Sequence, residues 1–159
     1  MQYEGRPKDP SEQELTNALI KSTSSMAKKV YFLKGHGEMD IEDQSKTGGK
    51  IVAEALRNQL RRTDQIGRYG GEEFLVVADV AAGDEPAALG ERLRRAVERT
   101  HIDTSAGQLA ATVSVGVAIA HPGGGETADD LVSRADLALY QAKAHGRNRV
   151  VLAPSKADS

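Results

Sequence analysis

The stretch Arg61–Phe74, which reads RRTDQIGRYGGEEF, decides the fold. Two short strand-like runs in it flank the pair Gly70-Gly71. Such a pair is typical of a tight β-hairpin, because a two-residue turn needs positive φ at one or both central positions. Glu72 and Glu73 then open the second strand, and their side chains point to opposite faces since strand residues alternate. The pattern fits a hairpin beside a ligand site or an ordinary solvated hairpin.

Strand-like and helix-like segments alternate on both sides of this hairpin. Val30–Leu33 (VYFL) is a short apolar run typical of a buried strand, and the run at 74–78 (FLVVA) is another. Ile51, Val52, Ala55, Leu56 and Leu60 recur at helical spacing and predict a helix from Lys50. The remaining predictions are a helix over 11–22, a loop over 34–49, a helix from Pro86, a connection over 100–108, a strand over 111–120, a helix from Thr127 to Gly146 and a strand over 149–152. This order predicts an α/β (α+β) domain whose central mixed sheet is flanked by helices.

Composition limits the function classes. The chain has 159 residues, 39% hydrophobic and 28% charged, which suits one globular domain. A net charge of −2 and 4% aromatic residues argue against a nucleic-acid polymer as partner. The absence of cysteine excludes disulfides and thiolate metal sites, and no apolar run is long enough to span a membrane. We therefore expect a cytoplasmic protein with no membrane partner.

Two further matches accompany the hairpin sequence RYGGEEF. RYGGEEF, then SVGVA at 114–118, then ALYQAKAHGRNRV at 138–150 together resemble the GGDEF family, the diguanylate cyclases, over about residues 51–152. The resemblance implies a GGDEF-like sheet and an enzyme that joins two GTP molecules into cyclic di-GMP. It also implies Mg²⁺, or Mn²⁺, as cofactor. Because each subunit of such an enzyme holds one GTP, a homodimer is implied as well.

The resemblance also implies roles for particular residues. Glu72 corresponds to the metal-binding position and shares a catalytic role with Glu73, while Gly70 and Gly71 form the turn close to the nucleotide. Lys143 and Arg147 correspond to the residues that hold the terminal phosphates. If the helix extends that far, these two cations are i, i+4 neighbours, although cations are favoured at a helix C-terminus in any case.

A second site is implied by Arg61-Arg62-Thr63-Asp64, which matches the R-x-x-D motif that binds the product in this family. Arg92 falls where the family often supplies a second arginine. Guanidinium groups can meet guanine O6/N7 and phosphate, and Asp64 can accept from the guanine N1/N2 edge. The alternative for this motif is a solvated cluster of charges.

The first strand departs from the family pattern. Family members end it in D-x-D-x-F-K-x-I-N-D, whose first Asp binds metal and whose Asn reads guanine, whereas this chain continues VYFLKGHGEMD. Asp40 or Glu38 could substitute only from a position well past VYFL. His36, Glu38, Asp40 and Asp43 match no standard metal spacing and are typical of a polar loop. We therefore expect a diguanylate cyclase domain with little or no activity.

Residues 11–47 resemble instead a segment of the auxiliary proteins of gliding-motility-type ABC transporters. This suggests a chimeric chain whose first helix and strand are a foreign segment, joined at 47–50. We predict flexible tails at 1–10 and 154–159 and a single domain at 11–153, of which 50–153 is GGDEF-derived. The alternatives to a cyclase are a cyclic di-GMP-binding module that uses R-x-x-D, or an engineered chimera without function. A foreign segment could also be swapped between the subunits of a dimer.

Overall fold

A five-stranded mixed sheet is the centre of the computed structural model, which describes residues 28–36, 42–70, 73–79, 83–121 and 123–156. Its strand order is β2-β3-β1-β6-β7, and β4 and β5 form a separate hairpin. The elements in chain order are β1 (Lys28–His36), α1 (Glu42–Arg57), β2 (Gln65–Gly70), β3 (Glu73–Asp79), α2 (Ala88–Glu98), β4 (His101–Thr104), β5 (Gly107–Ala110), β6 (Thr112–Ala120), α3 (Ala128–Ala144) and β7 (Val150–Leu152). The predicted mixed sheet with flanking helices is confirmed.

The central strand is β1, which contains the predicted Val30–Leu33 run but is longer. It pairs antiparallel with β3 on one side and with β6 on the other, while β7 pairs parallel with β6. The predicted hairpin is formed by β2 and β3, with a register shift between Arg68 and Gly70. The strand order thus places the hairpin at one edge of the sheet, next to the central strand.

The two faces of the sheet carry two hydrophobic clusters. Along β3, Phe74 and Val76 belong to the cluster under α1 and α2, whereas Leu75 and Val77 belong to the cluster under α3. All four side chains are buried, as the FLVVA run predicted. Full burial of one such side chain contributes about 1.5–3 kcal/mol, so both helix layers are anchored on this strand.

The segment predicted as a loop at 34–49 is partly helical, and this prediction was wrong from Glu42 onward. α1 begins at Glu42, so the glycine pair taken as a joint lies inside the helix. Gly48 is buried. A Cβ on Gly49 would collide with the Nη2 atom of Arg68, so the small residue admits a side chain from the hairpin. A tertiary contact with Arg68 therefore accounts for Gly49, a residue type that by itself would predict the end of a helix.

The connection predicted at 100–108 is the β4–β5 hairpin. His101–Thr104 pairs with Gly107–Ala110, and Ile102 is buried in the cluster under α1 and α2. Gly107 has a φ of +118°, which permits the turn. The helix predicted from Pro86 begins slightly later, at Ala88.

The last helix, α3, is capped as predicted. The Thr127 Oγ1 atom accepts from the Asp130 N–H at 3.1 Å, and the Asp130 carboxylate accepts from the Thr127 N–H at 3.3 Å. Beyond Ala144 the chain turns at Gly146, whose φ is +114°. α3 lies so close to β6 that a Cβ on Gly116 would collide with the Ala135 carbonyl oxygen.

Some predictions lie outside the described residues. These are the tail at 1–10, the helix over 11–22, and Glu38 and Asp40 as substitute metal ligands. Within the part of the chain that the structure describes, no helix is long and apolar enough to cross a membrane.

Candidate functional site

The R-x-x-D segment forms a closed turn between α1 and β2. The Asp64 N–H donates to the Arg61 carbonyl at 3.0 Å, and the Arg61 N–H donates to Asp64 Oδ2 at 2.8 Å. The Asp64 carboxylate is therefore oriented by the backbone N–H of Arg61, so this part of the geometry is set within the motif itself. Arg61 is exposed and Asp64 half-buried, so both remain within reach of a ligand.

Arg92 reaches the same place from α2. Its Nη2 atom donates to the Gln59 carbonyl oxygen at 2.7 Å, just before the turn. Arg61, Asp64 and Arg92, which were predicted together from sequence, line one small pocket. The structure thus brings the three residues together although 28 positions separate Asp64 from Arg92.

This pocket is more acidic than the motif suggests. Its wall includes Asp79 from the end of β3 and Asp84 and Glu85 from the segment before α2. Sequence reasoning missed these carboxylates, although the spacing D-V-A-A-G-D-E-P between a strand and a helix places acids at both ends of one connection. With Asp64 they are four acids against two arginines. The carboxylates of this wall suit a ligand that offers N–H donors, and the two arginines suit one that offers acceptor oxygens.

The pocket is too small to hold a whole nucleotide. Its volume is about 50 Å³, which matches the liquid volume of one or two water molecules at roughly 30 Å³ each. It adjoins two larger depressions, one of about 590 Å³ that shares Arg61 and Asp64, and one of about 690 Å³ between α1 and α2 that shares Arg92.

The glycine-rich turn is described only in part. Gly70 ends β2 and is paired with Glu73, the first residue of β3, while Gly71 and Glu72 lie outside the described residues. Glu73 is half-buried. The Arg68 guanidinium lies 5.7 Å from the centroid of the Phe74 ring, a cation–π contact between the two strands close to the turn of the hairpin.

The described residues do not fit a two-carboxylate Mg²⁺ site. Mg²⁺ prefers oxygen ligands, chiefly carboxylates, but β1 over Lys28–His36 contains neither Asp nor Glu. Lys34, not an acid, is the register partner of Glu73. Among the residues that the structure describes, no group of three or more His, Asp or Glu could hold a metal ion.

Lys143 and Arg147 are not i, i+4 partners on one helix, because α3 ends at Ala144. Gly146 and Arg147 have φ values of +114° and +62°, so Arg147 belongs to the following turn. Its N–H donates to the Ala142 carbonyl at 3.0 Å, which folds the turn back over the end of the helix. Gly146 had been predicted as the helix stop, and that signal already places Arg147 beyond it.

The sheet register brings the hairpin and this turn to the same end of the sheet. Lys34 pairs with Glu73 on one side and with Ser114 on the other. The Asn148 N–H donates to Ser114 Oγ at 3.2 Å. Since neighbouring strands lie about 4.8 Å apart, the Cα atoms of Glu73 and Ser114 are separated by roughly 10 Å. A nucleotide could therefore reach from the hairpin to Arg147.

Comparison with known proteins agrees with this geometry. Residues 50–149 match the family model described as "Diguanylate cyclase, GGDEF domain". Diguanylate cyclase A of Treponema denticola is 33% identical over 141 residues, covering 89% of this chain and 36% of that protein. Diguanylate cyclase DosC of Escherichia coli K12 is 38% identical over 112 residues, covering 67% and 24%. The chain thus spans about a third or less of these relatives.

Solved structures give the same picture. Diguanylate cyclase SiaD of Pseudomonas aeruginosa, solved with its activator SiaC, has a TM-score of 0.81 and 28% identity over 91% of this chain and 59% of that one. The GGDEF domain of DgcB from Caulobacter crescentus, solved in complex with c-di-GMP, has a TM-score of 0.73 and 27% identity over 91% and 88%.

These matches give no support to a foreign first segment. Residues 50–159 number 110, so an alignment that covers 89% of the chain includes about 30 residues before position 50. The proposed resemblance to ABC transporter auxiliary proteins over 11–47 is therefore unsupported. Since the family model matches residues 50–149, which are more than half of the chain, the protein belongs to the GGDEF family of diguanylate cyclase domains.

Proposed function

We propose that this domain binds cyclic di-GMP at the pocket formed by Arg61, Asp64 and Arg92, and makes little or no cyclic di-GMP itself. The observation that carries the proposal is the convergence of the R-x-x-D turn and Arg92 on one pocket. Bidentate guanidinium groups recognise guanine O6/N7 and phosphate oxygens. The acids on the wall offer acceptors for the guanine N1 and N2 donors. A cyclic dinucleotide has both kinds of group twice.

The proposed lack of cyclase activity rests on the sequence of β1. A strand without Asp or Glu supplies no carboxylate for Mg²⁺ beside Glu73, and the register partner of Glu73 on this strand is Lys34, a basic residue. Each lost interaction of about 1.4 kcal/mol in the transition state lowers a rate tenfold.

Binding is tested by titration calorimetry with cyclic di-GMP. We expect Arg61→Ala and Arg92→Ala each to raise Kd at least tenfold. Asp64→Asn, which keeps an acceptor for the Arg61 N–H, should raise it less. Lys50→Ala is the control, since Lys50 is an exposed cation of α1 that lines none of these three depressions. No binding by the unaltered protein, or equal effects of Arg61→Ala and Lys50→Ala, would contradict the proposal.

An active cyclase is the second candidate, because Glu73, Lys143 and Arg147 are all present and the sheet register brings Glu73 and the turn that contains Arg147 to one end of the sheet. It would depend on Glu72 and Glu73, on Gly70 and Gly71 for close approach of the nucleotide, on Mg²⁺ or Mn²⁺, and on two GTP-bearing subunits facing each other in a homodimer. Incubation with GTP and either metal, followed by chromatography, decides between the candidates. We expect no cyclic di-GMP; product that vanishes in Glu73→Ala would favour the cyclase. If the protein neither bound cyclic di-GMP nor converted GTP, both candidate functions would be wrong and only the fold would be shared with the family.

A further inference from the structure

The turn after α3 contains two consecutive non-glycine residues in the left-handed region. Arg147 has a φ of +62° and Asn148 a φ of +45°. Few residues other than glycine adopt this conformation, although asparagine tolerates it better than most. Two in succession persist only where the surroundings hold them. The contacts of this turn therefore determine where the Arg147 side chain is presented.

Asn148 supplies most of those contacts. Its Oδ1 atom accepts from Arg94 Nη1 at 2.9 Å, and its Nδ2 atom donates to Glu98 Oε1 at 2.8 Å. Its N–H donates to Oγ of Ser114, a fully buried residue of β6. The asparagine is thus tied to the sheet by its backbone and to α2 by both atoms of its amide.

The two α2 residues are themselves joined. Arg94 Nη1 lies 3.1 Å from Glu98 Oε2, and Arg94 Nε lies 3.2 Å from Glu91 Oε2. Only 14% of the Arg94 side chain is exposed, so its guanidinium has little freedom to move away. Arg94, Glu98 and Asn148 form a closed triangle of hydrogen bonds across two elements that are about 50 residues apart.

We propose that Asn148 is a positioning residue, held by Arg94 and Glu98, which fixes the backbone at Arg147 so that this arginine meets a nucleotide polyphosphate beside Lys143. The amide does not touch the phosphates; it acts through the conformation of its neighbour. The proposal rests on the phosphate-holding role that the cyclase candidate gives to Lys143 and Arg147, and it goes beyond cyclic di-GMP binding because it concerns a different ligand group at a different end of the molecule.

The test compares the affinities of GTP and GMP by titration calorimetry without metal, because their ratio isolates the contribution of the β- and γ-phosphates. We expect Arg147→Ala to reduce the ratio about tenfold. Asn148→Gly keeps a backbone that accepts positive φ but removes the amide, and should reduce the ratio three- to tenfold. Glu98→Gln keeps an acceptor for Asn148 Nδ2 and should stay within twofold of the unaltered protein. Arg95→Ala, an exposed neighbour of Arg94, is the control and should have no effect.

A double-variant cycle separates positioning from general loss of structure. If Asn148 acts through Arg147, Asn148→Gly should cause no further loss once Arg147→Ala is present. Additive losses in the double variant would overturn the proposal, as would an unchanged ratio in Asn148→Gly. Failure of the unaltered protein to prefer GTP over GMP would overturn it as well. Cyclic di-GMP binding at the Arg61 pocket should be unchanged in Asn148→Gly, so failure of one proposal is distinguishable from failure of the other.

Discussion

Lys34 of β1 stands directly opposite Glu73 of β3 in the antiparallel register of the central sheet. Residues so paired have Cβ atoms about 5 Å apart on one face of a sheet. The strand end that would supply a metal ligand in the family pattern therefore supplies a basic position next to the acidic residue of the hairpin. The pairing of Lys34 with Glu73 therefore bears both on the stability of the sheet and on whether a metal ion can bind beside the hairpin.

Reversing one charge of that pair should destabilise the sheet. Glu73→Lys places two lysines opposite each other, and we expect a loss of about 0.5–1 kcal/mol in the free energy of unfolding, measured with urea. The double variant Lys34→Glu/Glu73→Lys should recover most of the loss. Asp136→Lys, on the exposed side of α3, is the control for a change of net charge. Equal losses in the single and double variants would show that register does not matter here.

Gly116→Ala should be among the most damaging single-methyl additions in the protein. The added Cβ would collide with the Ala135 carbonyl oxygen and lie 2.9 Å from the Leu139 Cα, both backbone atoms of α3. Since the helix would have to move off β6, we expect a loss of about 2–3 kcal/mol. Gly124→Ala is the control, because its Cβ would meet one carbonyl oxygen at 3.2 Å in an exposed loop. A loss below 1 kcal/mol at Gly116 would contradict the packing described above.

Thr127→Ala removes the hydroxyl that caps α3. We expect a loss of about 1 kcal/mol in thermal or urea unfolding, because the Asp130 N–H loses its acceptor. Thr127→Ser keeps the hydroxyl and should remain close to the unaltered protein. Equal loss in the two variants would point to the threonine methyl group rather than to the cap.

Glu98 should make the free energy of unfolding depend on pH in the acid range. Its hydrogen bond from Asn148, followed by that from Arg94, lowers the pKa of the Glu98 carboxyl from its ordinary 4.5. The charged form is therefore favoured in the folded state, so the stabilisation is complete above pH 4.5 and is lost as the pH falls through the lowered folded pKa. Glu98→Gln should flatten the decline of the urea midpoint in this acid range. A decline identical to that of the unaltered protein would exclude Glu98 as a contributor.

Local signals carried the sequence predictions that succeeded. The Gly70-Gly71 pair between strand-like runs predicted the β2–β3 hairpin, and Thr127 predicted the start of the last helix, because both signals are local. The R-x-x-D turn is local too, since Arg61 and Asp64 bond to each other.

The features that sequence could not supply depend on distant contacts. Gly49 looks like a helix breaker until Arg68 packs against it from β2. Asp79, Asp84 and Glu85 meet the R-x-x-D turn only after the sheet and α2 are assembled. Asn148 reaches partners about 50 residues away on α2, which no periodicity indicates.

The central place of β1 has a consequence for how the chain reaches its native state. Lys28 pairs with Asp79 and with Ala120, which lie about 50 and 90 residues further along the chain. Long loops must close before the backbone N–H and C=O groups on either edge of this strand are paired. Folding should therefore be slow for a domain of this size. During that interval β1 exposes unpaired N–H and C=O groups on both edges, a state in which strands of different molecules can associate. The strand whose sequence departs most from the family pattern is thus also the one whose pairing joins the most distant segments of the chain.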